Sequence, residues 1–239
     1  MNEVMQFVKK SDTTTELYIY GEIRKQEVWE ILFDVESEHV SALSFKDALD
    51  QVDTPNLCVR INSMGGSVSE GLAIYNLLNS FGGNVTTIVD GFACSIASVI
   101  FMAGSKRIVP ESALLMIHNA WSKAEGDAHT MRKAADDLEK ITQPSINIYT
   151  SKTILTEAEI RNMMDQETWL EAKEAYEFGF ATVLEKAEAN QCLNDRYLAH
   201  LIKENKELRT KITNLGEQDD DFFLERKRRT YETIKIRNK

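Results

Sequence analysis

The chain has 239 residues, of which 43% are hydrophobic, enough for one sizeable core with an appendage. Its formal net charge of -10 argues against a general nucleic-acid-binding protein, because phosphate backbones are bound by basic faces. The cysteines Cys58, Cys94 and Cys192 are widely spaced and belong to no CxxC or Cys/His metal motif. We therefore expect reduced thiols and no metal or organic cofactor.

The sequence has no pattern typical of export or membrane insertion. Residues 1–15 are charged and polar, without the apolar core of a signal peptide. The longest apolar stretch, residues 92–103, is too short to span a bilayer and predicts a buried helix. We expect no membrane partner and a cytoplasmic location.

Strand and helix patterns alternate along most of the chain. Apolar and β-branched runs predict strands, and apolar residues spaced by three and four predict helices. The predicted elements are strands at 17–21, 57–62, 85–89 and 114–117, and helices at 42–49, 71–81, 95–102, 127–150, 156–164 and 171–178. This alternation predicts a mainly parallel α/β fold. The second strand is nearly all apolar, so we expect both of its faces to be covered.

The character of the sequence changes after about Glu185. Glycine nearly vanishes, charge rises, and a heptad pattern with one asparagine at an a position follows. Its members are Leu198, Leu201, Asn205, Leu208, Ile212 and Leu215. A coiled coil and a single helix packed on the core both remain open. The acidic residues 217–221 and basic residues 226–229 are typical of a solvated tail.

Two short segments carry the residues of a candidate catalytic pair. Ser95 lies in a run of small residues between a predicted strand and a predicted helix, and His118 ends the apolar run 113–117. Nucleophilic catalysis needs a hydroxyl and a base within hydrogen-bond reach, held rigidly. The alternatives are a serine that caps a helix and a structural histidine. Ser95 is not in a G-x-S-x-G motif, which weakens the α/β-hydrolase hypothesis.

A glycine-containing turn follows the strand 57–62. Ser67 and Glu70 have the spacing of a capping box, which predicts that a helix begins there. A plain strand-to-helix turn accounts for the glycines. The functional alternative is that the N–H of Gly66 points at a developing oxyanion, together with the N–H of Ile96.

Together these segments resemble the proteolytic subunit of Clp-type serine peptidases, over about residues 17–184. The resemblance rests on Arg60-Ile61-Asn62-Ser63 with Gly65-Gly66, Gly91-x-Ala93-x-Ser95, Met116-Ile117-His118 and Glu171-Ala172-x-x-Glu174-Ala175-x-x-x-Gly179. The sequence at residues 17–21, 117–119, 132–136 and 167–170 is similar to that of the phage and prophage branch, whose members are head-maturation proteases.

The resemblance implies a crotonase-like fold of stacked ββα units. Residues 127–150 would be a long handle helix that stacks or interlocks subunits into a ring, with the active sites facing an enclosed chamber. We therefore divide the chain into an N-terminal segment (1–16), a peptidase domain (17–186) and a helical C-terminal extension (187–239).

The resemblance also implies the roles of the site residues. Ser95 would be the nucleophile, His118 the base, and Gly66 and Ile96 the oxyanion donors. An acid just before residues 169–172 would orient the histidine. Glu167 is at the family's position for this acid.

Asp165, two residues before Glu167, is the alternative acid, and both could be ordinary surface carboxylates. Three positions depart from the family pattern. Met64 replaces the family's proline before the two glycines, which loosens the argument for a rigid oxyanion loop, and Ala120 replaces the branch's proline after His118-Asn119. Gln166 replaces an arginine used in ring-to-ring contacts, which puts a stacked double ring in doubt.

The leading hypothesis is a serine endopeptidase that assembles into rings and processes phage or prophage capsid and scaffold proteins. An ATP-independent and an ATPase-assisted enzyme both remain open, and the short, polar N-terminus gives little support for an ATPase partner. One alternative is a crotonase-fold acyl-CoA enzyme that shares the backbone and the oxyanion hole. The other is a ring or scaffold protein whose triad is degenerate.

Overall fold

In the computed structural model of the chain, the structure describes residues 7–27, 30 and 39–185. The chain divides into two units, residues 1–186 and 187–239, and the described residues lie in the first. The predicted C-terminal extension and its heptad pattern lie outside the described residues, and so does Cys192. They stay predictions.

The described residues contain nine strands and six helices. The strands are β1 (Phe7–Ser11), β2 (Thr14–Ile23), β3 (His39–Val40), β4 (Asn56–Gly66), β5 (Asn84–Cys94), β6 (Lys106–Pro110), β7 (Leu114–Ile117), β8 (Thr168–Glu171) and β9 (Val183–Glu185). The helices are α1 (Ala42–Leu49), α2 (Val68–Asn79), α3 (Ile96–Phe101), α4 (Ala128–Lys152), α5 (Glu157–Asp165) and α6 (Ala172–Glu177). Each predicted strand and helix overlaps one of these, so the prediction of an α/β fold is confirmed.

The strands form one mixed sheet with the path β1-β2-β4-β5-β6-β9. The neighbours from β2 to β9 along this path run parallel, whereas β1 is antiparallel to β2. The long strand β5 divides its pairing. Its first half pairs with β6 and its last residues pair with β7, which in turn pairs with β8. This division places the end of β7 beside the end of β5.

The prediction that β4 is covered on both faces was wrong. Burial alternates along the strand, and only one face is fully packed. The residues of that packed face are Leu57, Val59 and Ile61. On the other face Arg60 is half-buried, and its Nε donates to Oδ2 of Asp90 at 2.8 Å. Tyr20 donates to the same carboxylate oxygen at 2.7 Å. Arg60, the single charged residue in this apolar run, was the sign in the sequence that the second face of β4 is not fully packed.

The capping box predicted at Ser67 and Glu70 is also wrong. Ser67 is the N-cap of α2, but its side chain makes no capping hydrogen bond. The carboxylate of Glu70 is buried and instead accepts from the backbone amide of Ala42 at 2.8 Å, at the start of α1. The acid therefore satisfies the N-terminus of a neighbouring helix, which residue spacing does not reveal.

The long helix α4 is buried only in its second half. It begins at an N-cap, Asp127, whose side chain accepts from the amide of Thr130. Residues 128–141 are exposed or half-buried, whereas the buried residues all lie nearer the C-terminal end. These are Thr142, Ser145, Ile146 and Tyr149. The first half of the helix therefore extends along the surface of this chain.

Among the residues that the structure describes, no helix is both long and apolar enough to cross a membrane. Within the same ranges no group of three or more histidine, cysteine, aspartate or glutamate side chains is placed to hold a metal ion.

Candidate active site

Ser95 lies at the turn between β5 and α3, in a conformation that few residues adopt. Its φ is 55° and its ψ is -128°. A non-glycine residue held at such angles costs about 1–3 kcal/mol and persists only where its surroundings impose it. The Ser95 amide donates to the carbonyl of Met116 at 2.8 Å, and the Ser95 side chain makes no capping bond to α3. The hydroxyl is thus directed away from the helix that it precedes.

His118 directly follows β7, and strand register brings it to Ser95. Cys94 and Met116 are partners in the parallel β5–β7 pair, so the residues just beyond them leave the sheet side by side. The distance from His118 Nε2 to Ser95 Oγ is 2.7 Å, a hydrogen bond. With the imidazole proton on Nδ1, Nε2 accepts the hydroxyl hydrogen of Ser95. The structure thus brings the two predicted residues together.

The two candidate acids have different neighbours. Oε2 of Glu167 lies 3.9 Å from Nδ1 of His118, longer than a hydrogen bond, and the Glu167 side chain is 61% exposed. Glu167 has a φ of 49°, in the left-handed region. Oδ1 of Asp165 instead accepts from the side-chain amide of Asn119 at 2.7 Å. Glu167 therefore faces His118, whereas Asp165 bonds to Asn119, the residue after His118.

The glycine turn at the end of β4 contacts the serine directly. Gly65 has a φ of +99°, and a Cβ there would lie 2.6 Å from the Cβ of Ser95. Gly66 has a φ of +145°, and a Cβ there would lie 2.1 Å from the carbonyl oxygen of Ile23. Both positions therefore require glycine, because any side chain would meet Ser95 or the neighbouring strand.

The amides on either side of Gly66 already have acceptors, one within the turn and one on the neighbouring strand β2. The amide of Gly65 donates to Oγ of Ser63 at 3.0 Å, and that of Ser67 donates to the carbonyl of Ile23 at 2.6 Å. The predicted oxyanion donor Gly66 lies between them and is exposed.

The second predicted donor, Ile96, is the first residue of α3 and is 3% exposed. Amides of a helix's first turn have no acceptor within the helix, so they are suited to an external anion.

Sequence reasoning missed Gly71 of α2. A Cβ there would lie 2.1 Å from Cγ1 of Ile96, so the absence of a side chain lets α2 approach α3 closely.

Cys94 does not compete with Ser95 as a nucleophile. Burial, with a smaller contribution from the charge of Glu167, raises the pKa of Cys94 to about 12. The thiol therefore stays protonated near neutral pH, and the thiolate is the reactive form of cysteine.

A mainly apolar cavity of about 430 Å³ borders the site. Its walls include Val68, two residues after Gly66, and Ala120, two residues after His118. The remaining lining residues are Ser69, Leu72, Trp121, Ser122, Leu138, Ile141 and Pro144. Sequence reasoning missed this cavity, because α4 supplies one wall from a distant part of the chain. A larger cavity, of about 800 Å³, lies beside α1 and α2, and neither cavity has Ser95 or His118 among its lining residues.

Comparisons with known proteins agree with the geometry. The family model described as Clp protease matches residues 11–187. The ATP-dependent Clp protease proteolytic subunit of Ligilactobacillus salivarius is 32% identical over 187 residues, which cover 75% of this chain and 93% of that protein. The subunits with the same name from Chlorella vulgaris and Bacteroides fragilis are 34% and 33% identical, over 52% and 55% of this chain. This chain spans somewhat less than two thirds of these last two relatives, 62% and 65% of their length.

Proposed function

We propose that this chain, which belongs to the Clp protease family, is a serine endopeptidase that cleaves polypeptides. The observation that carries the proposal is the 2.7 Å contact between His118 Nε2 and Ser95 Oγ. The serine hydroxyl is not used as a helix cap, and its backbone is held at a positive φ. A serine hydroxyl within hydrogen-bond reach of a histidine is what nucleophilic catalysis by such a pair requires.

In the proposed reaction the Ser95 oxygen attacks the carbonyl carbon of the scissile peptide bond, and His118 takes the hydroxyl proton. The carbonyl oxygen becomes an oxyanion, which accepts hydrogen bonds from the amides of Gly66 and Ile96. One such donor typically contributes about 3 kcal/mol of transition-state stabilisation. His118 then gives its proton to the amine nitrogen as the C–N bond breaks, which leaves an acyl-enzyme on Ser95. Water, deprotonated by His118, attacks the acyl carbon, and His118 returns that proton to the Ser95 oxygen as the ester bond breaks.

Glu167 is the proposed third member of the triad, and the two acids make a matched test. We expect Glu167→Gln to lower kcat about 10- to 100-fold, less than the loss known for a buried triad acid, because this carboxylate is exposed. Asp165→Asn should change kcat less than about threefold, since its partner is Asn119. Steady-state peptide hydrolysis by both variants measures this. A larger loss for Asp165→Asn would reverse the assignment.

The cavity beside the site supports a preference for an apolar side chain next to the cleaved bond. Ile141 lines the cavity from α4 and is 44% exposed, so it can be changed without disturbing the core. We expect Ile141→Asp to lower kcat/KM for such substrates by about tenfold or more, because an apolar group would face a carboxylate. Ile154→Asp is the control, since Ile154 is 78% exposed just beyond the end of the same helix and lies outside the cavity. Equal losses in the two variants, measured on a peptide series, would remove the cavity from substrate recognition.

The proposed assembly is a ring built from stacked ββα units of the crotonase-like type, with α4 as the handle between subunits. Its support is the exposed first half of α4, which carries Met131 on its surface. Enclosed active sites would admit only extended chains. The substrates proposed for the ring are phage or prophage capsid and scaffold proteins. This choice of substrates rests on the sequence resemblance to the phage and prophage branch at residues 17–21, 117–119, 132–136 and 167–170.

Labelling of the wild-type protein with a fluorophosphonate, together with hydrolysis of casein, tests the proposed function. Only an activated serine reacts with the reagent, so we expect labelling at Ser95 and casein cleavage. Thioester hydration without peptide hydrolysis would favour an acyl-CoA enzyme. If the assembled protein is neither labelled nor able to hydrolyse casein, the result would favour a degenerate scaffold.

A further inference from the structure

Two buried hydroxyl groups connect the handle helix α4 to the backbone of Ser95. The Ser98 hydroxyl donates to the carbonyl oxygen of Ser95 at 2.6 Å. The hydroxyl of Tyr149, on α4, lies 2.8 Å from the same Ser98 oxygen. Ser98 is 0% and Tyr149 1% exposed, so solvent does not replace either bond. The mechanism described above uses neither residue.

The direction of these bonds follows from their proton count. Ser98 has one hydroxyl hydrogen, which it gives to the Ser95 carbonyl, so Tyr149 is the donor to Ser98. Burial raises the pKa of Tyr149 above its ordinary value, and the phenol therefore keeps its proton at neutral pH. The result is a one-way chain of donors from Tyr149 through Ser98 to the Ser95 carbonyl.

The start of the short helix α3 differs from the starts of the four longer helices. In α1, α2, α4 and α5 the N-cap carbonyl accepts from the amide four residues further on. At α3 the Ser95 carbonyl accepts from the Ser98 amide, three residues further on at 3.0 Å, and from the Ser98 hydroxyl. The hydroxyl chain therefore helps to hold this carbonyl in a tightened first turn.

The held carbonyl belongs to the same peptide unit as the amide of Ile96. A peptide unit is planar and trans, so its C=O and N–H point in opposite directions. Fixing the Ser95 oxygen therefore fixes the direction of the Ile96 N–H. We propose that Ser98 and Tyr149 are positioning residues, which aim the Ile96 amide at the oxyanion by holding the opposite end of its peptide unit. This inference rests on the proposed peptidase function.

Three single variants separate positioning from packing. Tyr149→Phe keeps the ring, which packs 5.6 Å from the ring of Phe180, and removes only the hydroxyl. Ser98→Ala removes the middle hydroxyl. Thr150→Val is the matched control, because its Oγ1 is buried on the same helix without a hydrogen-bond partner. The double variant of Ser98 and Tyr149 tests whether the two hydroxyls act as one unit.

We expect Tyr149→Phe and Ser98→Ala to lower kcat about tenfold with KM unchanged, part of the 100- to 1,000-fold loss typical when an oxyanion donor is removed. A peptide aldehyde, which forms an oxyanion on Ser95, should bind more weakly by the same factor. The double variant should be no slower than Ser98→Ala. Thr150→Val should match the wild-type protein in both measurements.

The outcomes separate this inference from the proposed function. If the wild-type protein neither hydrolyses peptides nor reacts with a fluorophosphonate, both fall together. If it is active and Tyr149→Phe and Ser98→Ala keep the wild-type kcat with only a lower melting temperature, the hydroxyls are structural and the inference alone falls. A lower kcat with unchanged aldehyde binding, or a raised KM with unchanged kcat, also overturns it.

Discussion

Ser95→Ala is expected to abolish peptide hydrolysis while the protein still folds. The change removes one half-buried oxygen, which contacts His118 and is not used as a helix cap. Loss of a triad nucleophile typically lowers kcat by about 10⁶-fold. The rate that remains above the uncatalysed reaction comes from the oxyanion hole and substrate binding. Hydrolysis of a fluorogenic peptide and thermal unfolding measure the two halves of this prediction. Near-normal turnover by Ser95→Ala would refute the nucleophile assignment.

The same experiment extends to the base. His118→Ala should be as inactive as Ser95→Ala, and the double variant should be hardly slower than either, because the two side chains act as one unit. Losses that multiply would mean that the residues act independently. Fluorophosphonate labelling adds a second check, since Ser95 without its base should react much more slowly.

Gly65→Ala is expected to inactivate and destabilise the protein. An added Cβ would lie 2.6 Å from the Ser95 Cβ and 2.8 Å from the Cys94 carbonyl oxygen, and the backbone φ of +99° is unfavourable for alanine. Relieving the clash must move the nucleophile, and a misplacement of about 1 Å costs about 100-fold in rate. Overpacking and backbone strain together should lower the free energy of unfolding by about 2–4 kcal/mol.

The control for this change is Gly82→Ala. Gly82 is exposed, and an added Cβ there would contact nothing within 4 Å. Urea denaturation and peptide hydrolysis of the two variants should therefore give opposite results, with Gly82→Ala close to the wild-type protein. If Gly65→Ala kept wild-type activity and stability, the contact between this turn and Ser95 would not exist in solution.

The strands that sequence predicted are those whose own residues bury a face, such as β4 and β7. Sequence missed β6, which reads Lys106 to Pro110 and contains two basic residues. It also missed β1, β3, β8 and β9, of five, two, four and three residues. Such segments are strands because of their neighbours: β8 pairs with β7, and β9 with β6. Local periodicity carries no information about partners that come from elsewhere in the chain.

The candidate site divides in the same way. The pairing of Ser95 with His118 was predictable because Ser95 lies between a predicted strand and a predicted helix and His118 ends an apolar run. The hydrogen bond between Ser98 and Tyr149 joins residues 51 positions apart. Neither residue has a pattern that sets it apart from ordinary core positions. At Glu70 the sequence predicted a nearby partner, Ser67, whereas the carboxylate bonds to the distant amide of Ala42.

The helix α4 contains a proline, Pro144, between two regions with different contacts. Proline donates no backbone hydrogen bond, so the turn around it is restrained by one bond fewer. Leu138 and Ile141, before the proline, form part of the cavity wall, whereas Tyr149, after it, bonds to Ser98. In the roles proposed above, the side chain accepted next to the cleaved bond and the alignment of the Ile96 amide would be set on opposite sides of Pro144. Substitutions before the proline should then change substrate preference and leave the bond between Ser98 and Tyr149 intact.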